Sequence, residues 1–576
     1  MNFSAKSHFA RLIKSLHKVM EDSQLAPDEL VRSILHCWCK DSFPKIHQSD
    51  LLVNTKLLSH QAIDAFVDFV KNQDFLEATY WLSSAYAQLV SRDIRKQMAM
   101  YFTPPSLVRR VLDDLSTSGV DFAVRKFCDP ACGGAAFLVP IAIRIRDELK
   151  KRGTNPRLIL EHMQKHLLGF DKDYALCELS KNFLLMVLYD EIVVTGKIPN
   201  FQIYQCDSLQ KTEYLFGTLD VVVCNPPFRK VPLSEVAHYG NHFVEVIEGQ
   251  PNLYALFMTL CIKLISSKGI CALVTPTSFL SGRSFTKLRA FIAQQTKVVG
   301  IGIVCDRSGV FIDVEQETAI TLISREKNNL TYSKETNISV IARNGHYIDV
   351  GKCVLPNSGA VWPIPRNESD VDLINNASKS NITLIDYGYL PRIGAFVWNR
   401  DKRKTYPSVK KAEQDQNGVA IPLLWASDIS LDGHLNFTGL AKANQEHCFV
   451  NMGSKGHCSV VCRPSVLLQR VTSNDQQRRL IAAVVPSTLL ELYGGFVGEN
   501  HTVILEQVTA EPEISPEQLV ELLSTPIVDR YFRCISGANN VSIFELNQLR
   551  LPDPKRLKYF LAQGKNMLKA VHQAFQ

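Results

Sequence analysis

Residues 219–228 read Leu-Asp-Val-Val-Val-Cys-Asn-Pro-Pro-Phe, and this stretch decides the fold. The apolar run from Leu219 to Cys224 predicts a short buried strand. Asn225–Phe228 then lies at the carboxyl end of that strand, where open α/β sheets bind their ligands. An asparagine, two prolines and an aromatic ring there form a rigid set of hydrogen-bond acceptors beside a stacking surface. Such a clamp suits a planar NH2 group.

A second strand and turn lie upstream, in the segment Asp129-Pro-Ala-Cys-Gly-Gly-Ala-Ala-Phe-Leu138. The residues Val124–Cys128 predict the strand, and the apolar stretch after the glycines predicts a helix. Gly133 and Gly134 allow the backbone to approach a ligand closely. The sequence therefore predicts a carboxylate and a turn of small residues at a second strand end.

These two motifs together resemble those of the N6-adenine-specific DNA methyltransferases. The segment Tyr101-Phe-Thr-Pro-Pro-Ser-Leu-Val108 precedes both, and this motif order resembles the gamma class. The resemblance covers residues 95–325 and, more loosely, the C-terminal part. It implies an α/β fold with a Rossmann-like class I methyltransferase core that uses S-adenosyl-L-methionine. It also implies methylation of a short double-stranded DNA site within a restriction-modification system.

The resemblance assigns roles to the clamp. The Asn225 side-chain oxygen and the Pro226 carbonyl would accept the two N–H bonds of the target adenine. Phe228 would stack on that base, which has to leave the duplex to reach the pocket. A second aromatic contact is expected at Phe311, whose alternative role is core packing.

The implied cofactor residues lie at or beside predicted strand ends. Asp171 would bind the ribose hydroxyls, and Asp207 would accept from the adenine amino group of the cofactor. A lone aspartate at such a place can otherwise cap a helix. The complete predicted cofactor set is Thr103, Asp129, Ala131, Cys132, Gly133, Asp171, Asp207 and Pro227.

The region from Tyr101 to Lys327 alternates short apolar runs with helical stretches, which predicts a doubly wound, mostly parallel sheet. Its last two strands are expected to form an antiparallel hairpin at the edge. The predicted strands are Val124–Cys128, Leu167–Phe170, Phe201–Cys206, Leu219–Cys224, Ile270–Thr275, Val298–Val304 and Thr318–Ser324.

The sequence divides into four predicted regions: an N-terminal helical domain (1–98), a catalytic domain (99–327), a connector (328–384) and a target-recognition domain (385–576). The helical domain would be a cap on the catalytic core or a surface for DNA or a partner. The last region is β-rich, of α+β type, with predicted helices at Pro516–Leu523 and Lys555–Phe575.

A basic run in the last region, Lys402, Arg403 and Lys404, predicts contacts with DNA phosphates. A solvated loop is the alternative for these side chains.

Composition narrows the class of protein. The contents of 46% hydrophobic and 21% charged residues are typical of a soluble globular protein. No apolar run is long enough to span a bilayer, and the N-terminus shows no secretory signal. A cytoplasmic, prokaryotic location is therefore expected, without a membrane partner. The net charge of +7 permits nucleic-acid binding but does not argue for it.

Metal binding is not expected from the sequence. The cysteines are scattered, which indicates a reduced compartment and not a disulfide framework. His447, Cys448, His457 and Cys458 are spaced unlike any familiar zinc finger, and the segment Cys458–Cys462 favours a strand. The implied reaction also requires no metal.

Four functions stay open at this level. The first is a stand-alone adenine methyltransferase, with or without a cognate endonuclease. The second is a modification subunit that needs a separate specificity subunit. An RNA-base or protein-glutamine methyltransferase and a non-enzymatic DNA-binding module are the others. The size of the C-terminal region favours the stand-alone enzyme.

Overall fold

The computed structural model describes residues 3–46, 58–304, 317–325, 335–341, 346–415, 419–437, 447–453, 456–472, 476–536 and 540–576. The chain divides into two compact units. The first contains residues 1–279 and 284–359, and the second contains residues 280–283 and 360–576. The division into four domains stays a prediction.

The first unit begins with helices, most of which bury apolar side chains. Leu16, Leu30, Phe66 and Trp81 are buried in a shared core. Asp74 caps the fourth of these helices by accepting from the backbone N–H groups of Leu76 and Glu77, which satisfies donors that a helix start leaves free. The helices are Phe3–Ser23, Pro27–Ser42, Gln61–Lys71, Phe75–Leu89 and Arg92–Met98.

A nine-stranded sheet follows, with the order β3-β2-β1-β4-β5-β7-β6-β8-β9. The strands are β1 Phe127–Asp129, β2 Leu167–Asp171, β3 Gln202–Gln205, β4 Leu219–Cys224, β5 Ile265–Pro276, β6 Lys297–Val304, β7 Thr318–Ser324, β8 Glu335–Ile341 and β9 Tyr347–Val354. Strands β1 to β5 pair in parallel, while β7 runs antiparallel between β5 and β6. This topology confirms the predicted class I methyltransferase fold.

Two details of the sheet differ from the sequence prediction. The antiparallel pair β6 and β7 does not form the edge, because β8 pairs in parallel with β6 and β9 pairs with β8. The first strand begins only at Phe127, since the preceding Val124 lies in a turn and is 56% exposed. Apolar runs alone do not separate such a turn from the strand that follows it.

One further helix precedes the first strand, and the others lie between strands along the chain. These helices are Pro105–Thr117, Leu138–Lys151, Pro156–His166, Tyr174–Val187, Tyr189–Thr195, Ser208–Lys211, Leu233–Val236, Leu253–Leu264, Ser278–Ser281 and Thr286–Gln295. 3-10 helices lie at Glu213–Leu215, Ala237–Val246 and Arg283–Phe285.

The second unit contains two four-stranded sheets, with the orders β10-β17-β14-β15 and β11-β13-β12-β16. Their strands are β10 Tyr389–Ile393, β11 Thr405–Tyr406, β12 Ala420–Leu424, β13 Phe449–Asn451, β14 Ser465–Gln469, β15 Ala482–Val484, β16 Val497–Gly498 and β17 Thr502–Gln507. The helical elements are Glu368–Ser378, Val409–Glu413, Ala426–Asp428, Ser487–Tyr493, Pro516–Ser524, Pro526–Ile535, Ile543–Leu546, Pro554–Ala562 and Met567–Phe575.

Two predictions for the second unit are corrected by the structure. The predicted helix Lys555–Phe575 is two helices, because Gly564 adopts φ +78° and reverses the chain between them. The segment Cys458–Cys462 is not a strand: its residues form turns, and Val461 makes one isolated bridge to Phe496.

The described residues lack two kinds of feature. None of the helices they contain is long and apolar enough to cross a membrane. The same residues hold no group of three or more His, Cys, Asp or Glu side chains arranged to bind a metal ion.

Candidate active site

Polar side chains meet at the carboxyl edge of the large sheet. Asp129 and Asp171 end β1 and β2, and Asn225 directly follows β4. Strand β1 lies between β2 and β4, so these three residues lie at neighbouring strand ends. After β1 the chain continues to β2 on one side, and after β4 it continues to β5 on the other side. Open α/β sheets bind their ligands in a crevice at such a reversal of strand order.

The crevice is a cavity of about 310 Å3. Nine of the residues that the sequence singled out line it: Thr103, Asp129, Ala131, Cys132, Gly133, Asp171, Asp207, Asn225 and Pro227. Pro226 and Phe228 are sequence neighbours of Asn225 and Pro227, but they do not line the cavity. Phe228 packs edge-on against Tyr254, with ring centroids 6.1 Å apart. Phe311 lies outside the described residues.

The turn after β1 is fixed by hydrogen bonds to its neighbours. Cys132 N donates to the Phe170 carbonyl at 2.9 Å, and Ser180 Oγ donates to the Gly133 carbonyl at 2.7 Å. Gly133 has φ +50°, and a Cβ there would lie 3.1 Å from the Phe102 ring. Glycine therefore lets the backbone turn tightly along the cavity wall.

Two carboxylates lie in the cavity wall, Asp129 buried and Asp171 partly buried. Burial raises the pKa of Asp129 to about 8, although its Oδ1 accepts the Ala131 N–H at 3.0 Å. Burial also raises the pKa of Asp171 to about 6, and its two oxygens accept the N–H groups of Gly133 and Asp173 at 2.9 Å each. A ligand that donates hydrogen bonds to either carboxylate would therefore favour its charged form and lower its pKa.

Asp207 has a different environment. One oxygen accepts the Leu209 N–H at 3.1 Å and caps a short helix, and the other pairs with Lys172 Nζ at 2.8 Å. Lys172 also lines the cavity, so this end of it presents both a carboxylate and an ammonium group.

The Asn225 amide is oriented by a residue far away in sequence. Its Nδ2 donates to the Tyr101 carbonyl at 3.3 Å. Since a carbonyl can only accept, this bond fixes which end of the amide is the oxygen. Asn225 Oδ1 is buried and has no hydrogen-bond partner within the described residues. The same holds for Thr103 Oγ1. Two unpaired polar atoms therefore belong to residues of the cavity wall.

Several contacts around the site were not found from sequence. Tyr86 Oη donates to Asp173 Oδ2 at 2.9 Å, and Ser83 Oγ lies 3.5 Å from the Gly134 carbonyl. Both residues are on helix Phe75–Leu89. Arg229 pairs with Glu235 beside the cavity. No sequence signal reveals the first two contacts, because they join segments that are distant along the chain.

The predicted DNA-contacting residues lie in the second unit and differ in their surroundings. Arg403 pairs with Asp401, and its guanidinium lies 5.6 Å from the Phe396 ring centroid. Lys404 is exposed and pairs with Asp415. Lys402 is exposed to solvent. Arg403 therefore has an intramolecular role in holding its loop, whatever else it contacts.

Comparison with known proteins agrees with this geometry. Residues 73–352 match the N-6 DNA Methylase family. The matched range contains every residue that lines the cavity. The region that builds the site is thus the region that is similar to this family.

Two curated proteins that the chain resembles are type II methyltransferases. The chain is 22% identical over 346 residues to the type II methyltransferase M.PstI of Providencia stuartii, covering 58% of this chain and 65% of that protein. It is 24% identical over 415 residues to the type II methyltransferase M.BsuBI of Bacillus subtilis, covering 69% and 79%. The alignment thus spans just under two thirds of the first relative's length.

One solved structure resembles the whole chain. It is that of the type IIL restriction-modification enzyme MmeI in complex with DNA, with a TM-score of 0.56 and 12% identity. The match covers 100% of this chain and 95% of that one. This likeness concerns the fold of the chain.

Proposed function

We propose that this protein transfers a methyl group from S-adenosyl-L-methionine to the N6 atom of an adenine in DNA, as the modification activity of a restriction-modification system. The proposal rests on the family match and on one observation above all, the unpaired Asn225 Oδ1 at the carboxyl edge of the sheet. A buried amide oxygen without a partner costs roughly 1–3 kcal/mol. An N–H donor of a substrate would remove that cost.

The clamp explains how an adenine amino group becomes a nucleophile. Its lone pair is delocalised into the ring, so the nitrogen attacks poorly when it is planar. Acceptors at Asn225 Oδ1 and the Pro226 carbonyl would hold both N–H groups and favour a pyramidal nitrogen. Proline suits this position because it has a fixed φ and no competing N–H. Phe228 is held by Tyr254 and would stack on the base, a contact worth ~1–3 kcal/mol.

The cavity residues fit the expected cofactor. Asp171 would accept the ribose hydroxyls, Asp207 the adenine amino group, and Thr103 with the turn after Asp129 would hold the methionine end. The orphan Thr103 Oγ1 and the close backbone at Gly133 are the features that support this fit. When bound, S-adenosylmethionine supplies an electrophilic methyl group on a positively charged sulfur.

The residues then act by positioning. The clamp would hold the N6 atom so that its lone pair accepts the methyl group from the bound cofactor, and the nitrogen would afterwards release one proton to water. An adenine stacked in a duplex cannot reach the clamp, so the base has to be flipped out. No residue of the chain has to act as a strong base in this scheme.

We further propose that residues 385–576 recognise the target sequence, which makes the chain self-sufficient. A modification subunit that needs a separate specificity subunit is the alternative. Purified protein alone, incubated with unmethylated genomic DNA and S-adenosylmethionine, separates them. Base-resolved detection of N6-methyladenine at one short recurring sequence supports the self-sufficient enzyme. Cofactor binding without DNA methylation favours a missing subunit or another substrate.

The role of Asn225 is tested by Asn225→Ala, which should abolish methylation while S-adenosylmethionine binding is largely kept. Asn182→Ala is a matched control. Like Asn225, Asn182 has a buried and unpaired Oδ1, but it donates to the Glu178 carbonyl within its own helix and does not line the cavity. The control should methylate DNA normally. Full activity of Asn225→Ala would contradict the clamp.

A further inference from the structure

An exposed aromatic cluster lies in the second unit, outside the site described above. Trp398 follows β10 and is 47% exposed. Its ring centroid lies 5.6 Å from that of Trp425 and 4.2 Å from that of His447. We call Trp398, Trp425 and His447 the aromatic platform.

Hydrogen bonds and a buried aromatic ring hold the platform in place. Trp425 Nε1 donates to the His447 carbonyl at 2.9 Å, and the His447 ring bonds Thr405 Oγ1 at 2.7 Å. The buried Phe396 lies 6.4 Å from the Trp425 ring, and its backbone bonds Gly498 and Asn500. A half-exposed indole on such a fixed base loses little conformational freedom on binding, which favours a role in recognition.

Positive charge surrounds the platform. Arg400 and Lys402 lie two and four residues after Trp398, and both are exposed. Neither of them belongs to any ion pair formed within the described part of the chain. We call residues 400–404 the basic loop. Thr405 follows it and contacts His447, which places the end of the basic loop beside the platform. Asp401, the acidic residue of this loop, is engaged by Arg403.

This combination selects one class of partner. An aromatic face can stack on a nucleobase, and exposed cations beside it can contact the phosphates of the same strand. A protein partner would call for a larger apolar surface than one half-exposed indole. The charge of the loop thus complements a nucleic acid.

We propose that Trp398 packs against an unstacked nucleobase of the bound DNA while Arg400 and Lys402 contact the adjacent phosphates. The inference rests on the proposed DNA substrate and adds a contact that the catalytic clamp does not provide. It also separates the basic loop into contact residues, Arg400 and Lys402, and an anchoring residue, Arg403.

The test is equilibrium binding of the full chain to a labelled duplex that the wild-type protein methylates. Trp398→Ala should weaken binding roughly five- to 150-fold, the range that a stacking contact of ~1–3 kcal/mol predicts. Trp398→Phe should restore much of the affinity, since it keeps an aromatic ring. Tyr559→Ala is the control, because Tyr559 is 60% exposed in the same unit but lies on helix Pro554–Ala562.

Salt dependence distinguishes the two kinds of contact. Lys402→Gln should reduce the slope of log K against log salt by about 0.9, as expected for one lost phosphate contact. Trp398→Ala should leave that slope unchanged. Wild-type affinity in Trp398→Ala, or an equal loss in Tyr559→Ala, would overturn the inference. A wild-type protein that neither methylates nor binds DNA would instead refute the proposed function.

Discussion

The strongest prediction from the structure concerns Tyr86, which lies on helix Phe75–Leu89 and outside the cavity. Its hydroxyl donates to Asp173 Oδ2 at 2.9 Å. The backbone N–H of Asp173 in turn donates to Asp171 Oδ1, also at 2.9 Å. Tyr86 should therefore position the carboxylate that we expect to hold the cofactor ribose. The variant Tyr86→Phe removes only the hydroxyl and keeps the ring.

The expected magnitude follows from these contacts. A hydrogen bond to a charged group is worth roughly 1.5–3 kcal/mol, and Asp173 keeps its other bond, to Leu176 N at 3.0 Å. Asp171 also keeps the bond from Gly133. Only one of its two backbone bonds is loosened, which costs about 1 kcal/mol in cofactor binding. The Kd for S-adenosylmethionine should then rise about fivefold.

The assay is calorimetric titration of S-adenosylmethionine into wild type, Tyr86→Phe and Tyr80→Phe. Tyr80 is a buried tyrosine of the same helix whose hydroxyl interacts with Ser84, so its loss should lower stability but not cofactor affinity. At saturating cofactor, kcat of Tyr86→Phe should equal that of wild type. If Tyr86→Phe binds the cofactor as tightly as wild type, the hydroxyl serves helix packing alone and the reasoning is wrong.

Three further predictions concern the ends of β1 and β2 and the turn after β1. Burial raises the folded-state pKa of Asp129 from 3.8 to about 8, so the wild-type protein should lose stability as the pH rises through that window. Asp129→Asn should lack this loss. In thermal melts, the stability of the variant relative to the wild type should therefore increase toward pH 8. If ionised Asp171 accepts the ribose hydroxyls, cofactor affinity should fall about tenfold between pH 7 and pH 5, given its pKa of about 6, while Asp171→Asn should show a flat profile in the same titration. A Cβ on Gly134 would lie 2.0 Å from Ser83 Oγ, so Gly134→Ala should lower the free energy of unfolding by about 1–3 kcal/mol in urea, and adding Ser83→Gly should recover part of it.

Much of the catalytic fold follows from the sequence. The predicted strands Leu219–Cys224 and Thr318–Ser324 coincide with β4 and β7. Such runs are predictable because a strand buried on both faces needs continuous apolar residues. The same runs also predict where Asp129, Asp171 and Asn225 lie, since each polar residue stands where an apolar run ends.

The limits of the sequence appear where apolar runs are ambiguous. Strands β8 and β9 lie in the stretch treated as a connector, and they move the antiparallel pair away from the edge of the sheet. Which strands pair depends on contacts between distant segments, and no local pattern specifies them.

By itself, then, the sequence determined the order of the strands and motifs along the chain. It also determined which carboxylates and which amide follow those strands, because both depend on local apolar patterns. Only the tertiary structure decided how those groups are tuned. The free Asn225 oxygen depends on the Tyr101 carbonyl, 124 residues away, and the support of Asp171 depends on Tyr86, 87 residues from Asp173. Burial, which sets the pKa of Asp129, is likewise a property of the folded packing, since it requires every neighbouring element to be in place.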